Sequence, residues 1–498
     1  MNFINFFEND FKAIYPELFL TTAILSLLTY GVVYGTSEKY SKAVVSNEMA
    51  WLCIQSFILT LILLMTNSFS DVVIFNNLLI IDQASTIVKS TILLSSAGCL
   101  AISLKYLNVK KIVAFEYHLL ISLATLGLLL ISSSYDFLSA YLAIELTSLS
   151  FYVLAAFNRK SELSTEAGLK YFILGAFASG LLLFGFSLVY GFTGLTNFGQ
   201  LAQLLAHNDS SPLLTTKVLI AAMLFICAGL LFKIAAVPFH MWAPDVYEGA
   251  STPVTAFFAI TPKIALLLLL IRICMTSFYD FIEVWQSFLV TSALLSLVTG
   301  TFISLYQNKL KRFLAYSAIG HTGYLLIGLA TGTELGLQGL FLYIFFYIVM
   351  GLGTFSVMLS LKEIKSTNFV MYITDLTGLG KSNPALALTF TIILFSIAGI
   401  PPLAGFYSKF YIFLAAVDSS MYLVAIAGVL ASVIGCLYYI RLIKLMYFES
   451  EKEVTVYSQM SKETSIILAL VSTILVGFFV NPSPLFLLIH QMVLSLGI

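Results

Sequence analysis

The chain has 498 residues, of which 59% are hydrophobic and only 10% charged, with a mean hydropathy of +0.98. Soluble domains carry about 25% charged residues, so this composition excludes a soluble globular protein and points to a membrane one. The 25 Lys and Arg balance 25 Asp and Glu, which leaves no basic footprint for nucleic acid. The five cysteines (Cys53, Cys99, Cys227, Cys274, Cys436) are scattered, in no spacing that suits a metal or iron–sulfur site.

The apolar runs are around 20 residues long and do not alternate, which predicts an all-α polytopic membrane protein and not a barrel. The first residues, MNFINFFENDFKAIYPE, have no basic region and no small-residue cleavage site, and they carry acids. They predict direct insertion without processing. Fourteen spans follow in order: 18–34, 51–68, 84–104, 117–132, 137–157, 171–192, 218–239, 254–275, 284–305, 313–331, 337–361, 385–417, 422–448 and 465–480. A short apolar tail, 485–496, lies beyond Pro482 and Pro484. The loop cations support this count, since Lys and Arg concentrate on one side of a membrane. Eighteen of the 25 fall in odd-numbered loops, Lys39, Lys365 and Lys452 among them. Three (Lys12, Lys217, Arg272) fall in even loops and termini, and four (Lys89, Lys233, Lys263, Lys409) fall within spans. One odd loop departs from the pattern: residues 240–253 hold no Lys or Arg but carry Asp245 and Glu248.

That loop ends the stretch LLFKIAAVPFHMWAPDVYEGASTPV, residues 230–254. Pro238 cannot donate to the carbonyl of Ile234, so it breaks the seventh span and frees an acceptor at membrane depth. Such groups are tolerated where they line a wet cavity or are buried in protein. Phe232-Lys-Ile-Ala-Ala-Val-Pro238 is echoed by Phe395-Ser-Ile-Ala-Gly-Ile-Pro401, 163 residues later. The copies are offset by five spans, an odd number, so the second is inverted, the layout of many ion-translocating proteins. Pro401 and Pro402 free the carbonyls of Ile397 and Ala398.

Charges inside spans mark ion or proton sites by default. Glu145, in YLAIELTSLSFY, is the one acid at the middle of a span; Lys233 and Lys263 are its candidate partners, and Lys409 follows the second break. Lys89 lies nearer a span end and is expected to snorkel. His321 and His240 can be core residues or relay members, since imidazole titrates near neutral pH. The tyrosines and phenylalanines are read as packing and interface anchors.

The segments YLAIELTSLSFYVLAA, STEAGLKYFILGAFASGLLLFG, the broken stretch itself, KRFLAYSAIGHTGYLLIG and AGIPPLAGFYSKFY resemble the antiporter-like membrane subunits of respiratory complex I, NADH:ubiquinone oxidoreductase, in the family of its subunit 2 and the bacterial subunit N. The resemblance covers nearly the whole chain. It implies two inverted five-helix repeats with broken helices near Pro238 and Pro401. The division is an N-terminal three-helix region at 1–112, a first antiporter-like repeat at 113–278, a second at 279–448, and a C-terminal helix and tail at 449–498. It also implies a proton relay in which Glu145 pairs with Lys233, Lys263 is central, His321 follows, and Lys409 serves the second half-channel. Ser251 stands where relatives often have proline. No cofactor is expected in this chain; NADH, FMN, iron–sulfur clusters and ubiquinone are expected on partner subunits. The partners expected are the other membrane-arm subunits and lipids, with no nucleic acid. The location implied is the mitochondrial inner membrane, both termini toward the intermembrane space, or alternatively a bacterial plasma membrane. A structural subunit that does not pump and a free-standing cation/proton antiporter are the competing readings.

Overall fold

The computed structural model describes residues 9–35, 42–67, 69, 71–112, 114–206, 213–362, 369–449 and 457–497. Lys39, Lys365 and Lys452 of the odd loops lie outside the described residues. The helices are, in order, α1 (Tyr15–Gly35), α2 (Lys42–Thr66), α3 (Gln83–Lys110), α4 (Glu116–Ser133), α5 (Phe137–Ala155), α6 (Glu162–Thr193), α7 (Phe198–Ala206), α8 (Leu213–Ile234), α9 (Trp242–Gly249), α10 (Thr252–Ile260), α11 (Pro262–Ile271), α12 (Ile282–Tyr306), α13 (Leu310–Ala330), α14 (Glu334–Ser360), α15 (Leu379–Ser382), α16 (Pro384–Ala398), α17 (Ala404–Asp418), α18 (Tyr422–Tyr447), α19 (Lys462–Gly477) and α20 (Ser483–Ser495). A short antiparallel hairpin, β1 (Val72–Ile74) with β2 (Leu79–Ile81), precedes α3, and its register pairs Val72 with Ile81.

Among the described residues twelve helices are long and apolar enough to cross a membrane. They match twelve of the fourteen expected spans. The other two expected spans fall on the α16–α17 pair and on α19, and these helices have 15, 15 and 16 residues. A helix rises 1.5 Å per residue, so none of the three alone covers a ~30 Å hydrocarbon core. The apolar tail forms α20, which docks back on the bundle: Ser495 Oγ accepts from the backbone N–H of Ala84 at the start of α3, 3.0 Å away.

One span is enclosed on every side. Residues 252–277 form α10, α11 and a π-helical turn from Arg272 to Ser277, and the whole apolar window of this span is buried within the protein. Pro262 divides α10 from α11, because it offers no N–H to the carbonyl of Phe258. Lys263 follows it directly. The central position of this span therefore places a lysine, beside a helix break, at the heart of the bundle.

The two expected breaks are present, and they share one backbone geometry. At the end of α8, Ala235 takes the left-handed conformation (φ +63°). Its N–H donates to Phe232 O, and the N–H of Ala236 reaches back to Leu231 O. At the end of α16, Gly399 is left-handed (φ +87°), its N–H donates to Ser396 O, and Ile400 N–H reaches Phe395 O. Both are helix ends closed on a left-handed residue. The spacing between equivalent atoms is 164 residues, one more than the side-chain match implies, so the counterpart of Pro238 is Pro402 and not Pro401. Four full-length helical spans (252–277, α12, α13, α14) lie between the breaks. An even number of crossings makes α16 run opposite to α8, as the inverted repeat requires.

The left-handed residue differs between the copies, with a measurable consequence. An L-residue there costs about 1–2 kcal/mol, which Ala235 bears and Gly399 avoids. A Cβ at position 399 would also press on the side chain of Lys409. Gly399→Ala is expected to lower the thermal stability of the assembled protein by about 1–2 kcal/mol, while Ala235→Gly leaves it within about 1 kcal/mol. Paired melting curves check this.

Two charged residues depart from expectation. Lys89 does not snorkel: it is buried in α3 and ion-paired to Glu17 of α1 at 2.5 Å. Packing of α1 against this end of α3 covers the ammonium with a buried carboxylate in place of solvent. Arg272 is not in an even loop. It is buried at 2% exposure and donates through Nη2 to both carboxylate oxygens of Asp82, at 2.7 and 2.8 Å, and through Nη1 to Ser134 O at 3.2 Å. Asp82 is also the N-cap of α3, accepting from Ser85 N–H. One carboxylate thus starts a helix and neutralises an arginine from the central span.

The lysine-poor odd loop is explained by its neighbours. It folds into α9, whose two acids are gripped by cations from adjoining odd loops. Asp245 pairs with Lys170 (2.9 Å) and Arg312 (2.8 Å), and Glu248 pairs with Lys309 and Arg312. Lys311 caps the segment by donating to Ala250 O at 2.6 Å. The loop carries acids because it is the meeting point of two basic ones.

Candidate functional site

The breaks supply the framework of the site. At the first, α8 delivers Lys233 one residue before its end, and Trp242 of α9 ties the two halves by donating from Nε1 to Phe232 O at 2.8 Å. Tyr171 stacks on Trp242, with centroids 4.6 Å apart. At the second, the carbonyls freed by Pro401 and Pro402 are both occupied: Lys409 Nζ donates to Ile397 O (2.9 Å) and Ala398 O (3.0 Å). The charge on α17 is held by the open end of α16, where the helix dipole is negative.

Lys233 of α8 and Glu145 of α5 are not in contact as an ion pair. Glu145 Oε2 accepts from Ser148 Oγ at 3.1 Å, and its Oε1 is buried without a partner. Lys233 Nζ reaches the hydroxyl of Tyr152, at 3.5 Å, and lies 5.8 Å from that ring's centroid. Tyr152 therefore stands between the acid and the lysine. A cavity lined by Ser148, Tyr171, Lys233, Trp242 and Lys263, among others, is large enough for water and joins the two lysines.

Lys263 is 3% exposed. It donates to Ala318 O (3.2 Å) and to the hydroxyl of Tyr347 (3.0 Å), with its ammonium 4.6 Å from the same ring's centroid. Tyr347 also lines a second cavity with Ser317 and His321. His321 is buried between two hydroxyls, Nδ1 to Tyr343 at 2.5 Å and Nε2 to Tyr439 at 3.2 Å, and Tyr439 meets Ser317 at 2.5 Å. Tyr324 continues the line: it packs on Tyr343 and faces the Lys409 ammonium, 5.2 Å from its ring. Lys233, Lys263 and His321 are thus joined by hydroxyls and small cavities, with Glu145 at one end, and the rings of Tyr343 and Tyr324 lead from His321 to Lys409. His240 is buried at the first break, its Nδ1 without a partner, and does not enter this line.

The residues missed from sequence are the tyrosines. Tyr152, Tyr324, Tyr343, Tyr347 and Tyr439 bridge the charged groups instead of merely packing. A signal was available: Tyr343 and Tyr347 are one helical turn apart at mid-span, where a phenolic O–H must find a partner. Replacing Tyr347 by Phe keeps the ring over Lys263 and removes one of its two hydrogen bonds. We expect a fall of about tenfold in any proton transfer through Lys263, the effect of roughly 1.4 kcal/mol on one barrier. Proton uptake by vesicles containing the assembled enzyme checks it.

Residues 134–435 match the family model described as NADH:quinone oxidoreductase/Mrp antiporter, transmembrane. The chain is 48% identical to NADH-ubiquinone oxidoreductase chain 2 of Marchantia polymorpha, over 98% of this chain and 99% of that one. It is 42% identical to NADH-quinone oxidoreductase subunit N of Paramagnetospirillum magneticum, over 96% of each. A chain of the respiratory complex I from Thermus thermophilus superposes with a TM-score of 0.77 at 26% identity, covering 95% of this chain and 98% of that chain. The matched span holds both breaks and every charged group of the line just described, and the chain belongs to the NADH:quinone oxidoreductase/Mrp antiporter family, among its chain 2 and subunit N members.

Proposed function

We propose that this chain is a proton-translocating membrane-arm subunit of an NADH:quinone oxidoreductase. Electron transfer takes place in partner subunits that hold NADH, FMN, iron–sulfur clusters and ubiquinone. The observation that carries the reading is the line of titratable groups from Lys233 through Lys263 and His321 to Lys409, linked by two cavities and the hydroxyls of Tyr347 and Tyr343, and at the Lys409 end by the rings of Tyr343 and Tyr324. In this reading the segments 113–278 and 279–448 are the two antiporter-like units, and 1–112 and 449–498 flank them. The lysine-rich odd-loop face lies toward the matrix, with both termini toward the intermembrane space.

The coupling step is electrostatic. Glu145 and Lys233 are separated by Tyr152 in the resting arrangement, and closing that gap stabilises the lysine's charge. A unit-charge pair at ~4 Å is worth about 4 kcal/mol at an effective dielectric of ~20. Moving one charge against ~100 mV costs about 2.3 kcal/mol. One association and release of the pair is therefore large enough to drive one proton onward to Lys263. The test is the proton-to-electron ratio of the assembled enzyme carrying Lys233→Ala or Glu145→Gln. A lowered ratio with electron transfer retained is expected; an unchanged ratio in both removes the pair from the mechanism.

A further inference from the structure

The relay leaves open how protons reach Lys263 from the lysine-rich face, because the span bearing it is buried on all sides. A second set of polar groups lies against that span, on α3 and α4. At the odd-loop end, the hydroxyl of Tyr106 of α3 lies beside Thr252, the first residue of α10. Deeper in, Ser103 faces the hydroxyl of Tyr117 of α4, and deeper still Cys99 faces Thr261, two residues before Lys263. The two helices run antiparallel, so the pairs 106–252 and 99–261 lie at successive depths along one seam.

Two of these groups are orphans. The Tyr117 hydroxyl and Thr261 Oγ1 are fully buried, at 1% and 0% residue exposure, and neither makes a hydrogen bond among the described residues. Ser103 and Cys99 sit beside them without meeting hydrogen-bond geometry. A hydroxyl buried without a partner costs about 1–3 kcal/mol, and native proteins relieve that cost with ordered water. Tyr106, at 9% exposure, is the outermost member.

We infer that α3 and α4 form, with α10, a hydrated uptake seam that carries protons from the lysine-rich face past Tyr106, Ser103, Tyr117 and Cys99 to Thr261 and so to Lys263. This rests on the proposed pumping role and adds to it a path along the boundary between the N-terminal three-helix region, which supplies Tyr106, Ser103 and Cys99, and the first antiporter-like unit, which supplies Tyr117 and Thr261. The chemistry is proton transfer along water and hydroxyls; no bond other than O–H changes, and each hydroxyl gives up one proton as it receives another. The orphan character of the two hydroxyls makes the idea separable from a structural role. Removing a group that bonds to nothing in the protein sacrifices no protein contact, so Tyr117→Phe and Thr261→Val are neutral or stabilising if the seam is only packing.

The experiment uses the assembled enzyme in proteoliposomes, driven by NADH and a soluble quinone, with Lys263→Met measured in parallel. Tyr117→Phe and Thr261→Val are expected to slow proton translocation by about tenfold, equivalent to roughly 1.4 kcal/mol on one transfer barrier. Thr261→Ser, which keeps the hydroxyl, is expected to restore it. Wild-type rates in both Tyr117→Phe and Thr261→Val overturn the seam. If Lys263→Met also leaves pumping unchanged, the underlying reading falls with it; if Lys263→Met alone abolishes pumping, only the seam falls. Should Thr261→Val not assemble, Tyr117→Phe decides. A second readout needs no turnover: deuterium exchange at the Cys99 thiol, followed by its S–H stretch and identified by subtraction of Cys99→Ala. It is expected to outpace Cys227 and Cys274, which are equally buried but outside the seam. Equal rates at the three thiols overturn hydration of the seam.

Discussion

Lys263→Met removes redox-linked proton translocation through this subunit and leaves the complex assembled. The reasoning begins with the environment of the group. Its ammonium has two hydrogen-bond acceptors, Ala318 O and the Tyr347 hydroxyl, and no carboxylate partner among the described residues. A charge held at mid-membrane costs at least about 2.5–3.5 kcal/mol, so a lysine kept there without a counter-ion is not retained for stability. Methionine fills much of the same volume and carries no charge; it relieves that cost while leaving two acceptors less well satisfied, each worth about 1 kcal/mol. The balance predicts near-normal assembly, with the lysine's contribution to the proton-to-electron ratio lost entirely. A ratio equal to that of the unaltered enzyme would take Lys263 out of the relay.

The second large effect concerns stability. Arg272 and Asp82 form a bidentate pair with side chains only 2% and 3% exposed. Breaking such a pair from one side leaves an uncompensated buried charge and costs about 3–5 kcal/mol, whereas replacing both partners is close to neutral. Asp82→Asn keeps an N-cap for α3 and so isolates the charge. Arg272→Met or Asp82→Asn alone is expected to reduce the yield of assembled protein severely. The double variant recovers most of it. Quantified assembly on native gels checks the ordering, and a double variant as poor as the worse single one would show that the pair is not the coupled unit described.

Much of this architecture was legible in the sequence, and the successes share a cause. The breaks followed from proline's missing N–H, a rule of covalent structure. It even indicated which carbonyls would be free, and Ile397 and Ala398 are the ones that Lys409 takes. Lys263 and Lys409 stood out because an apolar run leaves a mid-span charge nowhere to go. The misses share a cause as well. Glu17 and Asp82 lie at helix starts, where an acid reads as solvated, and only tertiary packing buries them against Lys89 and Arg272. The tyrosines were passed over because periodicity reports burial and not the partner of an O–H. The repeat was set one residue out of register because side-chain identity favours Pro238 with Pro401. The backbone aligns Ala235 with Gly399, and a residue's φ cannot be read from an alanine.

The cluster on α9 has a different implication. Its ion pairs involve side chains that are mostly 38–48% exposed, although Glu248 is at 15%, whereas the Asp82–Arg272 pair is sealed from solvent. The screening length shrinks from about 10 Å at 0.1 M salt to about 3 Å at 1 M. Electrolyte added on the lysine-rich face therefore weakens the grip of Lys170, Lys309 and Arg312 on α9, and leaves the Asp82–Arg272 pair untouched. Because α9 carries the Trp242 indole that holds the Phe232 carbonyl, ionic strength on one side of the membrane acts, at second hand, on the helix end that presents Lys233.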